Sequence, residues 1–137
     1  GVQGQATDID IQAREILRMR EQHSQELAAA QAVLREAKDT RRQCMREMRR
    51  KQRDRFRADD MLLYYPYLER LKQEIELHMK RVAAAERKVA QKRQALLEAM
   101  KKRKILDKLK EKQLQAHLKA EIEKWGPILK KAGVYAD

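Results

Sequence analysis

The sequence predicts an all-α protein, a long two-helix antiparallel coiled-coil hairpin. Composition is the first reason: 137 residues include 4% aromatics, 39% charged residues and only four glycines. That leaves too few turn residues and bulky core residues for a globule, and fits long helices. The second reason is periodicity, since apolar residues recur at alternating spacings of three and four along two long stretches. The third is a single cluster of turn signals between those stretches. Few aromatics and high charge also permit disorder, but a disordered chain has no reason to keep its apolar residues on one face.

The first helix is expected over about residues 8–57, with Thr7 and Asp8 as caps. One face carries Ile9, Ala13, Ile16, His23, Leu27, Ala30, Leu34, Ala37, Cys44 and Met48. Arg20 and Arg41 interrupt this seam, and their long stems can snorkel out of it. The segment ADDMLLYYP then reads as the turn, over about 58–65. Asp59 and Asp60 can cap a new helix, Pro66 suits its first turn, and Tyr65 precedes a proline and is biased away from helix.

The second helix is expected over about 66–125. Its seam is Leu68, Leu71, Ile75, Val82, Ala85, Val89 and Leu96. Gly126-Pro127 reads as its stop, leaving a tail over 126–137. A short turn makes the helices antiparallel neighbours, so the whole chain reads as one coiled-coil domain. The alanine-rich seam permits close approach but buries little apolar area, so stability should be modest and the outer ends should fray.

The net charge of +12 draws such a chain to anionic partners without choosing among them. Cys44 is the only cysteine, so no internal disulfide can form and a reducing compartment is expected. No apolar run approaches transmembrane length. The first residues, GVQGQATDID, lack the regions of a secretory signal and an initiator Met.

No active site is legible. His23, His78 and His117 form no close metal-ligand cluster and read as polar seam or surface residues. Cys44 lies on the apolar face and reads as a small seam residue. There is no phosphate-cradling glycine loop and no nucleophile motif. No enzyme activity, cofactor, metal or small-molecule substrate is expected.

What remains are binding surfaces. The run RRQCMREMRRKQRDRFR, Arg41 to Arg57, has arginines all around the helix. It reads either as a solvated helix or as a docking patch for acidic protein or nucleic acid. Only Phe56 lies within it to stack on a base, and no nucleic-acid-binding motif is present. A second basic run, Lys101 to Lys112, keeps Ile105, Leu106 and Leu109 as an apolar stripe, which suits a protein surface better than a phosphate backbone. Tyr64, Tyr65 and Tyr67, with Met61, Leu62 and Leu63, are more than one turn needs; an exposed apolar and aromatic tip marks a contact site.

These residues also resemble a family. Tyr64-x-x-Tyr67-Leu68-x-x-Leu71-x-x-x-Ile75, followed by the run from Lys104 to Lys112, KILDKLKEK, resembles the FliJ family of flagellar export proteins. Arg20 to Ala37, REQHSQELAAAQAVLREA, is similar to that family's first helix. The resemblance covers about Ile16 to Ala120. The tail KWGPILKKAGVYAD departs from the pattern and resembles the end of some periplasmic tricarboxylate-binding receptors, too short a match to import any function.

The resemblance implies a non-catalytic central stalk of a type III export apparatus, flagellar or the related virulence form. It would bind the export ATPase hexamer, couple it to the export-gate membrane protein and contact export chaperones, from the cytoplasm at the inner face of the cell membrane. Carried over by position, the gate-facing residues are Tyr67, Leu71, Ile75 and His78; Glu74 departs from the small or apolar character expected beside them. The ATPase-facing residues are Ile16, Leu17, Arg20, Lys108, Leu109, Lys112 and His117. The competing reading is a basic coiled-coil scaffold for nucleic acid or cytoskeleton.

Overall fold

A computed structural model of the chain describes residues 1–54 and 58–133. Among them are two helices, α1 (Val2–Arg53) and α2 (Ala58–Lys131), and no strand. The fold is the all-α two-helix hairpin that the spacing predicts. The expected fading of the first helix at Arg57, the stacking residue Phe56 and the last four residues lie outside the described residues.

The helix boundaries differ from expectation at each end, for local reasons. α1 begins at Val2. Thr7 is no cap; its hydroxyl donates to the carbonyl of Gln3, one turn back, at 3.0 Å, which a helix interior accommodates. α1 closes at Arg53, where the Asp54 N–H is shared between the carbonyls of Arg50 and Lys51. The stretch 58–65, expected as the turn, is the first part of α2. Asp59 and Asp60 stand in its first turn, where carboxylates offset the helix dipole. Pro66 is therefore interior to α2, and the Leu62 carbonyl lacks the N–H it would otherwise accept from.

Gly126-Pro127 does not stop α2 either. The helix runs to Lys131 and ends at Gly133, which adopts φ +68°. Its N–H donates to the Lys130 carbonyl and that of Ala132 to Ile128. The left-handed conformation that terminates a helix thus falls to the later glycine. Just before Gly126, Trp125 Nε1 donates to Glu121 Oε2 at 2.9 Å, tying two successive turns together.

The chain forms two compact units, Gly1–Ile16 with Ala95–Asp137 and Leu17–Gln94. In the second, α1 and α2 run antiparallel: Lys51 meets Tyr64, while Val33 and Ala37 face His78 and Leu71 across one depression. In the first, Asp10 meets Arg103 and Gln3 meets Lys110, again antiparallel. Every seam residue expected from the spacing is at least partly covered, and Cys44, Leu71 and Ile75 are buried, as are Ala6 and Ala99. Of the two interrupting arginines, Arg20 is half-buried, whereas Arg41 is exposed and Thr40 takes the covered position beside it. No charged or polar residue is buried among the described residues. The core is thin and wholly apolar.

Candidate functional site

In the unit Leu17–Gln94, the end of α1 and the start of α2 build a basic and aromatic surface. The Lys51 ammonium sits over the Tyr64 ring, 5.1 Å from its centroid. A hydrogen bond with Tyr64 pushes the Lys51 pKa above its ordinary value. Gln52 Nε2 reaches Met61 Sδ at 3.9 Å. Two adjoining open depressions share Tyr64 and Tyr67; Lys51 and Leu63 line one, Arg46 and Arg50 the other. The sequence does not reveal this contact, because its turn signals centre on 58–65, which is already helix. A turn centred in 58–65 would set Lys51 opposite a residue about two helical turns beyond Tyr64.

The stripe Tyr67, Leu71, Ile75 and His78 divides in two. Leu71 and Ile75 are core residues, 4% and 8% exposed. Tyr67 is 37% exposed and His78 half-buried. Spacings of four, four and three place all four on one face, but that face is the seam, and Tyr67 and His78 stand at its edge. Both line a depression that α1 closes with Val33, Ala37 and Thr40. Arg70 lies over the Tyr67 ring at 5.3 Å, and Glu74 lies on the same depression.

Two more expected site residues belong to this unit: Leu17 is exposed and Arg20 half-buried. Cys44 is buried in the seam. Burial pushes its thiol pKa up, and the nearby Glu47 carboxylate adds to the shift, the opposite of what a reactive thiol needs. His23 meets Glu26 of its own helix at 3.2 Å.

The other unit holds Ile16, half-buried, and Lys108, Leu109, Lys112 and His117, all exposed. Arg103 links α2 to Asp10 at 3.4 Å and also reaches Asp107 at 3.6 Å. Lys110 Nζ donates to Gln3 Oε1 at 3.0 Å. Ile9, Ile105 and Leu106 line an open apolar depression beside these contacts. Past Lys110, which meets Gln3 near the start of α1, α2 is exposed from 111 to 120. Leu114, Leu118, Ile122, Trp125 and Leu129 are all exposed there. Their spacings of four and three put them on one face, a continuation of the seam pattern that the sequence reading missed.

Among the described residues, no group of His, Cys, Asp and Glu could hold a metal ion, and no helix is long and apolar enough to cross a membrane. What the geometry offers is surfaces: a basic-aromatic end, a seam-edge stripe and an exposed apolar helix face.

The sequence matches the family model for the flagellar FliJ protein over residues 11–124. No curated protein and no solved structure matches it. The family match takes in the tyrosine-rich start of α2, the seams except Ile9 and the basic run to Lys112, and ends just before Trp125. The chain belongs to the FliJ family, and is thereby a component of the flagellar export apparatus.

Proposed function

We propose that the protein is the non-catalytic central stalk of the export apparatus. It would bind the export ATPase ring and couple it to the export gate, from the cytoplasmic face of the membrane. The observation that carries this reading is the family match over 11–124. The thin helical pair supports it, since a chain with so little core offers its exposed faces to partners. The ATPase partner would hydrolyse the nucleotide; this chain would promote ring assembly and transmit its asymmetry.

Within this reading, Tyr67 and His78 make the gate contact, and Leu71 and Ile75 hold the helix that presents them. The exposed Lys108, Leu109, Lys112 and His117 serve the ATPase ring, with Ile16, Leu17 and Arg20 on α1. Export chaperones are further partners of the exposed helix faces.

The test separates the two surfaces. Tyr67→Ala with His78→Ala should weaken binding to the soluble part of the export gate by about thirtyfold, the effect of losing ~2 kcal/mol at a hot spot. ATPase stimulation should survive. Lys108→Glu with Lys112→Glu should do the reverse. Gate affinity within twofold of wild type in the first variant, with helicity retained, would remove the stripe from the gate contact.

A further inference from the structure

The first turns of α2 hold two competing helix starts. Asp59 and Asp60 stand in the first turn after Ala58, where carboxylates offset the helix dipole. Further along, Pro66 offers a second start. Proline suits the first position of a helix, where its fixed φ is right and its missing N–H is not needed. Tyr65, the residue before it, is biased toward extended backbone, which is what a residue just outside a helix adopts. Glu69 would then supply the first-turn carboxylate. One sequence thus encodes a longer and a shorter α2.

Little packing holds the longer form. Leu62 is 63% exposed, Leu63 76% and Tyr65 56%. No residue from 59 to 70 is buried, and burial begins at Leu71. The stretch is tied to α1 by exposed contacts, Lys51 over Tyr64 at 5.1 Å and Gln52 to Met61 at 3.9 Å. A cation over an exposed ring shifts such an equilibrium only about two- to fivefold. Unwinding 58–65 gives up about six backbone hydrogen bonds, one fewer than with any other residue at 66. A helical run this short is not stable by itself. The turn that the sequence signals over 58–65 is then the second form of a segment that the structure shows as helix.

We propose that residues 58–65 are a conformational switch, exchanging as one unit between the first turns of α2 and an unwound segment, with Pro66 as the start of the shorter helix. The helix shortens by about 12 Å when the switch opens. The helical form holds Tyr64 beside Tyr67, so the two depressions that share these rings belong to that form alone. Lys51 and Leu63 line one of them, Arg46 and Arg50 the other. A partner that fills them selects the helical form, and one that grips extended backbone selects the open form. Tyr67 and Leu71 lie past Pro66 and stay helical in both. The switch goes beyond the proposed function and needs neither the ATPase nor the gate.

Amide hydrogen exchange on the full chain, resolved residue by residue, tests the switch. The amides of 62–65, 67 and 68 should share one opening, with exchange slowed roughly 10- to 1,000-fold relative to an unfolded chain. From Glu69 onward protection should step up by about tenfold or more. Pro66→Ala restores the missing donor and removes the second start. It should raise protection over 62–65 about tenfold or more and blur the step into a gradient. Lys51→Ser should lower protection of the same amides about two- to fivefold. Lys72→Ala, an exposed change past the proline, should leave it within about twofold. Circular dichroism checks that each variant stays helical. Wild-type protection over 62–65 equal to that at Leu71 and Ile75 would mean a single fixed start and overturn the proposal. So would a smooth rise from 62 to 75 that Pro66→Ala leaves unchanged, which is ordinary fraying. Absence of protection over 62–65 in both wild type and Pro66→Ala would make the segment a permanent turn, and would overturn it as well.

Discussion

Two stretches of α2 carry similar apolar spacing and meet opposite fates. Around Leu71 and Ile75 the stripe lies against α1, and both residues are buried. Around Leu114, Leu118, Ile122 and Trp125 the stripe is exposed, with Ile122 at 72%. Periodicity therefore states which face of a helix is apolar. What covers that face is decided by where the partner helix runs, which a helix's own residues do not encode.

The largest test of this contrast is a pair of truncations. Leu71→Ala should cost ~2–5 kcal/mol of stability, the range for a buried leucine. Ile122→Ala should change it by no more than about 0.5 kcal/mol, as at an exposed site. Urea denaturation followed by helical circular dichroism reads both. Equal losses would mean that the stretch after Lys110 is packed in solution and that the contrast is false.

A smaller effect comes from Cys44. Its thiol is buried with a raised pKa, so alkylation in the native protein should be well below the denatured rate at neutral pH. An introduced Ala120→Cys should label freely. The sign of the linkage follows: the neutral thiol is favoured by folding. Stability from this group is complete below the ordinary thiol pKa and declines as pH rises through the window up to the raised native value. Native labelling of Cys44 at the Ala120→Cys rate would refute a closed seam.

The smallest expected effect is at the end of α2. Gly133 has φ +68° with open space around it, so Gly133→Ala meets only backbone strain. The cost, ~1 kcal/mol, should appear as fraying of the last turn, seen as faster amide exchange, with the global transition unmoved.

The seams were legible because burial in a two-helix pair follows spacing directly: each residue from Ile9 to Met48 and from Leu68 to Leu96 that the spacing singled out is covered. The turn was not. Pro66, Gly126 and Pro127 are strong local breakers, yet α2 continues through all three, the two prolines each leaving one carbonyl without its helical donor. The misplaced turn hid the meeting of Lys51 with Tyr64. Leu71 and Ile75 stand in the seam by spacing and in the gate-facing stripe only by resemblance to the family, and their burial puts them in the seam.

The seam of small and aliphatic side chains has a mechanical corollary. A buried polar residue in a helical pair fixes register, because a slip would strand it. Among the described residues no polar group is buried, so nothing of that kind penalises sliding one helix along the other. Alignment in the unit Leu17–Gln94 then depends on a few large knobs, Leu71 and Ile75, and on exposed contacts between the helices such as Lys51 over Tyr64. Such a pair resembles a ratchet with shallow teeth.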